Sequence, residues 1–322
     1  MRFAIMADAH FNTPERGRKD YAQWGEEIWW NRLLRLHMTE IGEALVATFS
    51  TLKPDFIIHC GDLTEGGDAE SFELARGLIR RLPCPFYFVN GNHDQGDFTT
   101  AFYDLPAGRR SYSRTLGGLH FIFLDTNGFQ YADGSCSPFY DDKLSGARYV
   151  VSPADIQWLR DELTRHPEPV VVVSHLSLGF KKAYPAANYP DGRPLLRPPE
   201  DDLRDGLFPR MLSNYREIRA LLGRHPHVKL ALSGHWHIND LHVEDGVAFC
   251  QTCAMNEYPV EFRLAEVKDG VVRVTTHGLK NPEFSRRSLI TERTRSRGVT
   301  IEPRGNAWVA GTERDRAFSV KL

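Results

Sequence analysis

Five short polar segments, each directly after an apolar run, constrain this sequence more than any other feature. The apolar runs cover residues 2–7, 55–60, 85–89, 169–173 and 228–232. The polar segments that follow contain Asp8 and His10, Gly61 and Asp62, Asn92 to Asp94, His175, and His235 and His237. In open α/β sheets, ligands bind beyond the carboxyl ends of the strands, where residues distant in sequence meet. We therefore predict that five strands bring these segments together in one site.

The side chains of these segments are typical metal donors. They offer two carboxylates, one amide oxygen and four imidazoles: Asp8, Asp62, Asn92, His10, His175, His235 and His237. Nitrogen and oxygen donors without a thiolate suit Mn, Fe, Zn, Ni or Co. Asp8 and His10 are two residues apart, and on an extended chain such side chains point the same way. Seven donors are too many for one tetrahedral ion, so we predict a binuclear centre whose ions share one carboxylate.

The order of the motifs carries a family resemblance. Asp-x-His, Gly-Asp, Gly-Asn-His-Asp, a lone His and Gly-His-x-His together resemble the signature of the calcineurin-like metallophosphoesterases. Within that superfamily the chain looks most similar to the branch of class III cyclic nucleotide phosphodiesterases and glycerophosphodiesterases. After Gly-Asp the chain continues Leu63-Thr64-Glu65, without the Asp-Arg pair of the Ser/Thr phosphatases. It also has no match to the metal-ligand Tyr of purple acid phosphatases, so both of those branches are less favoured.

The resemblance implies a role for each matching residue. One metal ion would be held by Asp8, His10, Asp62 and His237. The other would be held by Asp62, Asn92, His175 and His235, so that Asp62 bridges both. His93 would protonate the leaving oxygen or stabilise the transition state, and Asp94 would orient its ring. The expected cofactors are two divalent, or mixed-valence, ions drawn from Mn, Fe and Zn.

The function predicted on this basis is a metal-dependent phosphodiesterase acting on a small diester. Cyclic nucleotides and glycerophosphodiesters are the expected substrate types, with water activated by the metals attacking the phosphorus. Two alternatives within the superfamily are a phosphomonoesterase and a phospholipid-cleaving phosphoesterase. A non-catalytic metal-binding interaction scaffold is the alternative of another class. The formal net charge of −2 gives no basic footprint, so no nucleic-acid substrate is expected.

The predicted architecture is an α/β fold. Strand, helix and strand alternate over residues 2–89, which predicts a parallel sheet. The resemblance implies a four-layer α/β/β/α sandwich of two mixed sheets with the metal site at the strand ends. A hairpin at Gly117-Gly118 should begin the second sheet, and an antiparallel meander over residues 240–277 should finish it. Apolar spacing and capping residues predict helices over residues 31–52, 70–82, 153–165 and 213–222.

We expect a catalytic domain over residues 1–280 and a C-terminal extension of unknown role over residues 281–322. Loop 11–30 leaves from His10, and Trp24 within it is a candidate wall for the substrate pocket. The insert over residues 180–210 follows His175 and is a candidate lid, with contact between copies in a homo-oligomer as the alternative. The C-terminal extension could also form such a contact. No apolar run reaches the roughly 18 residues of a membrane span, and the N-terminus begins a strand rather than a secretory signal, so a cytoplasmic location is expected.

Overall fold

Two six-stranded sheets pack face to face in the computed structural model of the chain. The structure describes residues 1–18, 32–94, 102, 110–138, 140–141, 143–179, 187–188, 212–292, 294–296, 299–301 and 303–322. Its strands are β1 (Arg2–Met6), β2 (Phe56–His59), β3 (Phe86–Phe88), β4 (Tyr112–Leu116), β5 (Leu119–Phe123), β6 (Gly128–Gln130), β7 (Cys136–Ser137), β8 (Arg148–Val150), β9 (Val170–Val173), β10 (Ala187–Asn188), β11 (Val228–Ser233), β12 (Asp240–Glu244), β13 (Val247–Gln251), β14 (Glu261–Lys268), β15 (Val271–Gly278), β16 (Thr294–Ser296), β17 (Val299–Ile301) and β18 (Ala317–Lys321). The helices used below are α1 (Met38–Leu52), α2 (Ala69–Ile79), α3 (Pro153–Arg165), α4 (Tyr215–Gly223), α5 (Glu283–Arg287), α6 (Gly305–Ala310) and α7 (Glu313–Arg316).

The first sheet has the strand order β18-β15-β14-β1-β2-β3. Its strands β1, β2 and β3 are parallel, as the sequence predicted, and the other three add antiparallel pairs. The second sheet has the order β12-β13-β11-β9-β5-β4. Strands β5, β9, β11 and β13 are parallel in it, with β4 and β12 antiparallel at its edges. Both sheets are therefore mixed, and the predicted fold class is confirmed.

The prediction that a meander over residues 240–277 finishes the second sheet is wrong. Strands β12 and β13 form a hairpin in the second sheet, but β14 and β15 form a hairpin in the first, where β14 pairs with β1. The chain crosses from one sheet to the other between β13 and β14, through a segment whose residues 252–257 are all buried. Alternating polarity identified both hairpins. It could not assign them to a sheet, because alternation reports the two faces of a strand but not the sheet to which the strand belongs.

Three apolar layers hold the four-layer sandwich together. Between the sheets, the ring of Phe3 stacks on Phe56 at 4.9 Å and meets Phe121 of the second sheet edge-on at 5.4 Å. Helices α1 and α2 pack on the outer face of the first sheet, and α3 and α4 on the outer face of the second. Because central strands are covered on both faces, they are apolar throughout rather than alternating. Their carboxyl ends come together at one edge of the sandwich.

The predicted helices begin and end close to the predicted residues. The helix over Pro153–Arg165 matches its predicted range, and Ser152 caps it by accepting a hydrogen bond from the backbone of Asp155 at 3.0 Å. Residues 32–37 form a 3₁₀ turn before α1, which ends at Leu52 and is followed by the cap residue Lys53 and Pro54. At the far end of the chain, β18 pairs with β15 and adds an edge strand to the first sheet.

Among the residues that the structure describes, no helix is both long enough and apolar enough to span a membrane.

Candidate metal centre

The loops that follow β1 and β2 run side by side and carry the first three candidate donors. Because β1 and β2 are parallel neighbours, both loops leave the sheet at the same edge. The backbone N–H of Asp8 donates to the carbonyl of Gly61 at 3.0 Å, and that of His10 donates to the carbonyl of Asp62 at 2.9 Å. These hydrogen bonds extend the pairing of the strands into the site, so the donors occupy set positions relative to each other.

Five of the candidate donors lie in the left-handed region of backbone conformation. Their φ angles are between 48° and 72°, and the residues are Asp8, His10, Asp62, His235 and His237. Such conformations cost about 1–3 kcal/mol each in a residue with a side chain and persist where the surroundings hold them. We expected Asp8 and His10 to point the same way because the chain would be extended there, and this expectation is wrong. The donors converge because the chain turns sharply at each of them.

The first group of donors consists of Asp8, His10, Asp62 and His237. The Nε2 atom of His10 lies 3.5 Å from Asp62 Oδ2 and 3.4 Å from His237 Nε2. His237 Nε2 in turn lies 3.3 Å from Asp8 Oδ1. One donor atom from each of the four residues lies within 4.8 Å of the others.

A second group of donors meets the first at Asp62. His175 Nε2 lies 3.4 Å from Asp62 Oδ2, which is also the oxygen that lies near His10 Nε2. It also lies 2.9 Å from Asn92 Oδ1 and 3.2 Å from His235 Nδ1. The structure thus brings all seven sequence-predicted donors into two adjoining groups that share Asp62.

The spacing of the donor atoms fits divalent metal ions. Donors bound at about 2.1 Å around one tetrahedral ion lie about 3.4 Å apart. The contacts between donor atoms in both groups range from 2.9 to 3.5 Å. Several of these contacts join two imidazole nitrogens, or an imidazole nitrogen and a carboxylate oxygen. The ligands of one ion lie at such distances from each other.

The electrostatics of the site also call for cations. Burial would lower the pKa of His237, but the carboxylates of Glu257 and Asp8 raise that pKa to about 10. Burial likewise opposes the charge of His175, but Asp62 and Asp8 raise its pKa to about 9. The carboxylates thus create a negative potential strong enough to keep protons on buried imidazoles. Divalent ions would supply the same positive charge and leave the imidazoles neutral.

Three histidines of the site have an oxygen within 3.0 Å of the ring nitrogen that is not directed at the other donors. His237 Nδ1 lies 3.0 Å from Glu257 Oε2, and His10 Nδ1 lies 2.7 Å from Glu65 Oε2. His175 Nδ1 donates to the backbone carbonyl of Cys60 at 2.9 Å. Such partners set the tautomer and the orientation of a metal-binding imidazole, leaving Nε2 free to bind the ion.

The sequence did not identify Glu65 and Glu257 as functional residues. Glu65 stands three residues after Asp62, so an acidic residue in a donor loop was a signal that could have found it. Glu257 lies in the crossing between the two sheets, 20 residues after the histidine that it contacts. Nothing in the local pattern around Glu257 marks it.

His93 lies at the rim of the donor groups. Its backbone N–H donates to Asp62 Oδ1 at 2.8 Å, and its ring lies 4.7 Å from the ring of His10, measured between centroids. Its Nδ1 donates to the backbone carbonyl of Glu65 at 2.8 Å, and the side chain is 36% exposed. Because Nδ1 is held by a carbonyl, Nε2 is the nitrogen that can exchange a proton with a bound molecule.

The structure gives Asp94 a different environment from the expected one. Its buried carboxylate accepts hydrogen bonds from the backbone of Leu63 at 2.9 Å, of Thr64 at 2.8 Å and of Gly91 at 2.9 Å. It therefore ties the loop after β2 to the loop after β3, while the carbonyl of Glu65 holds the ring of His93. Burial, together with the charge of Asp62, raises the pKa of Asp94.

Two glycines let the backbone pass close to the donors. Gly61 has a φ of 89°, and a Cβ there would lie 2.5 Å from His175 Nδ1. A Cβ at Gly91 would fall on the carboxylate of Asp62. Glycine is required at both positions because any side chain would displace a donor.

Trp24 and most of the 180–210 insert lie outside the described residues. Their roles as a pocket wall and a lid stay predictions.

Comparison with known proteins gives matches over most of the chain. A family model for calcineurin-like phosphoesterases matches residues 1–239. A 3′,5′-cyclic-nucleotide phosphodiesterase of Nostoc sp. is 25% identical over 210 residues, which are 64% of this chain and 65% of that protein, slightly less than two thirds of its length. A probable cyclic nucleotide phosphodiesterase of Synechococcus sp. is 26% identical over 244 residues, 72% of this chain and 80% of that protein. Among solved structures, a dimetal phosphatase from Danio rerio shares the fold, with a TM-score of 0.58, 13% identity and coverage of 86% of this chain and 96% of that chain.

Proposed function

Because this chain belongs to the calcineurin-like phosphoesterase family, we propose that it is a phosphodiesterase that uses two divalent ions to hydrolyse a small phosphate diester. The observation that carries the proposal is the pair of donor groups that share Asp62 Oδ2. Cyclic nucleotides and glycerophosphodiesters are the proposed substrate types. Two relatives named as cyclic nucleotide phosphodiesterases support the preference for diesters.

The two groups of donors are the proposed binding sites of the ions. One ion would be held by Asp8, His10, Asp62 and His237. The other would be held by Asp62, Asn92, His175 and His235. When bound, such ions offset the charge of a phosphate ester and lower the pKa of water towards neutrality. Mn, Fe and Zn all suit this mixture of nitrogen and oxygen donors.

The buried carboxylates of the site make the binding of a phosphate substrate depend on those ions. Four buried carboxylates lie in the site or directly behind its histidines: Asp8, Asp62, Glu65 and Glu257. Without cations they would repel a phosphate anion. With two divalent ions the four carboxylates are neutralised, and Glu65 and Glu257 act by holding the rings of His10 and His237 in place.

His93 is the proposed general acid. Its Nδ1 is held on the carbonyl of Glu65, so its Nε2 can carry the proton to the departing alkoxide oxygen. The hydrogen bond from its backbone to Asp62 places it beside the shared donor without making it one. General acid help of this kind contributes about 10²–10⁴-fold to the rate.

The test uses a matched pair of substrates. Metal-stripped protein, refilled separately with Mn²⁺, Fe²⁺ and Zn²⁺, should hydrolyse bis(p-nitrophenyl) phosphate faster than p-nitrophenyl phosphate with at least one ion. A faster reaction with the monoester would replace the proposal with a phosphatase. No hydrolysis of either compound, with two ions confirmed as bound, would favour the interaction scaffold.

A cytoplasmic location and assembly into a homo-oligomer stay predictions.

A further inference from the structure

Residues 305–322, here called the C-terminal segment, pack behind the loop that carries His235 and His237. The backbone N–H of Asn239 donates to the carbonyl of Val309 at 2.9 Å. The backbone N–H of Leu241 donates to Asp315 Oδ1 at 3.2 Å. Gly311 is so close that a Cβ on it would lie 2.5 Å from the carbonyl oxygen of Asn239. The chain immediately after His237 is therefore held by residues distant in sequence. The hydrogen bond from Leu241 to Asp315 joins residues 74 positions apart.

An ion pair anchors this contact. Arg316 makes two hydrogen bonds to Glu261, from Nη1 to Oε2 at 2.8 Å and from Nη2 to Oε1 at 2.7 Å. Glu261 Oε2 also accepts from the Nδ2 of Asn239 at 3.0 Å. Asn239 is fully buried, and the side chain of Glu261 is 13% exposed. The planar fork of an arginine orients a carboxylate in a way that a single charge does not.

Arg316 reaches the surroundings of His237 through Glu261, which also accepts the hydrogen bond from Asn239. Asn239 lies two residues after His237, so its position sets where the backbone of His237 turns. Glu261 lies four residues after Glu257, whose carboxylate holds His237 Nδ1 at 3.0 Å. His237 has a φ of 56°, a conformation that needs support from its surroundings. Arg316 is therefore connected, through Glu261, to the residue that follows the turn at His237 and to the segment that carries Glu257.

We propose that Arg316 is a positioning residue for the metal centre. Through Glu261 and Asn239 it keeps His237 in place to bind the ion shared with Asp8, His10 and Asp62. The proposal rests on the proposed function, since it requires that ions bind there. It gives the C-terminal segment a role in ion binding, although the segment contributes no donor. It also predicts that the two ions differ in their dependence on Arg316, because His175 and His235 lie further from Asn239 along the chain.

The experiment is a titration of metal-stripped protein with Mn²⁺, which resolves the two dissociation constants. In Arg316→Met, one of the two constants should rise about tenfold, the lower end of the effect of removing an outer partner of a metal ligand. The other constant should change by less than about twofold. Arg316→Lys keeps the charge but not the fork, and should give an intermediate rise.

Two control variants separate positioning from a general loss of stability. Arg81→Met removes another two-bond arginine–glutamate pair, to Glu43, which is half exposed and joins α1 to the chain after α2. Arg314→Met removes an exposed arginine from the same short helix as Arg316. Both should bind two Mn²⁺ ions as the unchanged protein does.

Each outcome of the titration decides one question. If the unchanged protein binds no Mn²⁺ at either site, the proposed function fails, and the role of Arg316 fails with it. If the unchanged protein binds two ions and Arg316→Met binds both with the same affinity, only the role of Arg316 is overturned. Equal weakening of both ions in Arg316→Met, with the same weakening in Arg81→Met, would also overturn it, because the effect would then be one of general stability.

Discussion

Asp62 is the one donor that the two groups of the centre share. Its Oδ2 faces both His10 at 3.5 Å and His175 at 3.4 Å, and its Oδ1 accepts from the backbone of His93 at 2.8 Å. Burial would raise the pKa of Asp62, but His175 and His93 hold that pKa well below its usual range. The residue is therefore charged throughout the physiological pH range, as a bridging metal ligand has to be.

His93 provides the first prediction at the scale of the residue. His93→Ala should lower kcat by about 10²–10⁴-fold for a diester with an alkoxide leaving group, since no group remains to protonate it. The loss should be much smaller for bis(p-nitrophenyl) phosphate, because p-nitrophenolate leaves without a proton. The measurement is kcat with both substrates, together with metal content.

The half-buried His225, which precedes β11 and so lies at the opposite end of that strand from His235, provides the control, and His225→Ala should change neither rate. Loss of metal from His93→Ala would instead identify His93 as a ligand. An equal loss of rate with both substrates would contradict its role as a general acid.

His59 provides a second prediction, on stability. Its ring is fully buried in β2, and neither ring nitrogen has a hydrogen-bond partner among the residues that the structure describes. Burial lowers the pKa of His59 to about 3, from an ordinary value of 6.5. Between these two values the unfolded chain binds a proton that the folded chain does not. The contribution to stability is thus fully present above about pH 6.5 and falls by about 1.4 kcal/mol for each pH unit below it.

The test is His59→Leu, which removes the titrating group and two unpaired polar atoms at similar volume. Its free energy of unfolding in urea, measured with EDTA present, should fall less between pH 6.5 and 5.5 than that of the unchanged protein, by about 1 kcal/mol. EDTA keeps metal binding out of the comparison. Identical pH dependence of the two proteins would show that His59 has the same pKa in the folded and unfolded chain and would contradict the prediction.

At the scale of the element, the centre is made by the turns that end the strands rather than by the strands themselves. The loops after β1, β2 and β3 are joined by backbone hydrogen bonds and by the carboxylate of Asp94. Each turn brings one or two donors inward, and glycine occurs where two turns pass closest. The spacing between loops is therefore as important as the donors.

Gly91→Ala tests the importance of this spacing. The new Cβ would fall on the carboxylate of Asp62, which has to move away from both donor groups. We expect the variant to bind Mn²⁺ at least tenfold more weakly at both sites and to lose most of its hydrolytic activity. Gly77→Ala is the matched control, since a Cβ at that position in α2 has nothing within 4 Å.

Alanine is favoured over glycine within a helix, so Gly77→Ala should be stabilised by about 0.5–1 kcal/mol and keep full metal affinity. Thermal unfolding and Mn²⁺ titration of the two variants together check the prediction. Normal Mn²⁺ binding by Gly91→Ala would show that the loops can separate without disturbing Asp62.

At the scale of the whole molecule, the donors come from both sheets. Asp8, Asp62 and Asn92 follow strands of the first sheet, whereas His175, His235 and His237 follow strands of the second. Ions bound between them would join the two sheets at one edge of the sandwich. Ion binding and global stability are therefore coupled.

Metal addition should raise the melting temperature of the stripped protein. Ions that bind only the folded chain stabilise it by about 2.7 kcal/mol at 100 times the dissociation constant. For a chain of this length that corresponds to roughly 4–8 °C. Calorimetry with and without Mn²⁺ measures the shift, and Asp62→Ala should abolish it because both groups lose their shared donor. A shift of the same size in Asp62→Ala would place the ions elsewhere.

Local patterns were enough for the elements and for the side chains that converge at the strand ends. Apolar runs ending in polar residues predicted the strands that lead into the centre, and capping residues predicted the helix at Pro153. The same patterns could not assign β14 and β15 to a sheet, because alternation is equal in either sheet. They also could not anticipate that Asp94 bonds to the loop after β2 rather than to His93.

The chain alone predicts which side chains come together at the strand ends, because an apolar run and the polar residues that follow it are adjacent in sequence. Which residues support those side chains depends on the folded structure. Glu257 meets His237 across 20 residues, and Arg316 meets Glu261 across 55. Contacts of this kind depend on how the two sheets pack and where the chain crosses between them. No periodicity in the sequence records that packing, because it is set by the burial of whole faces rather than by the spacing of neighbouring residues.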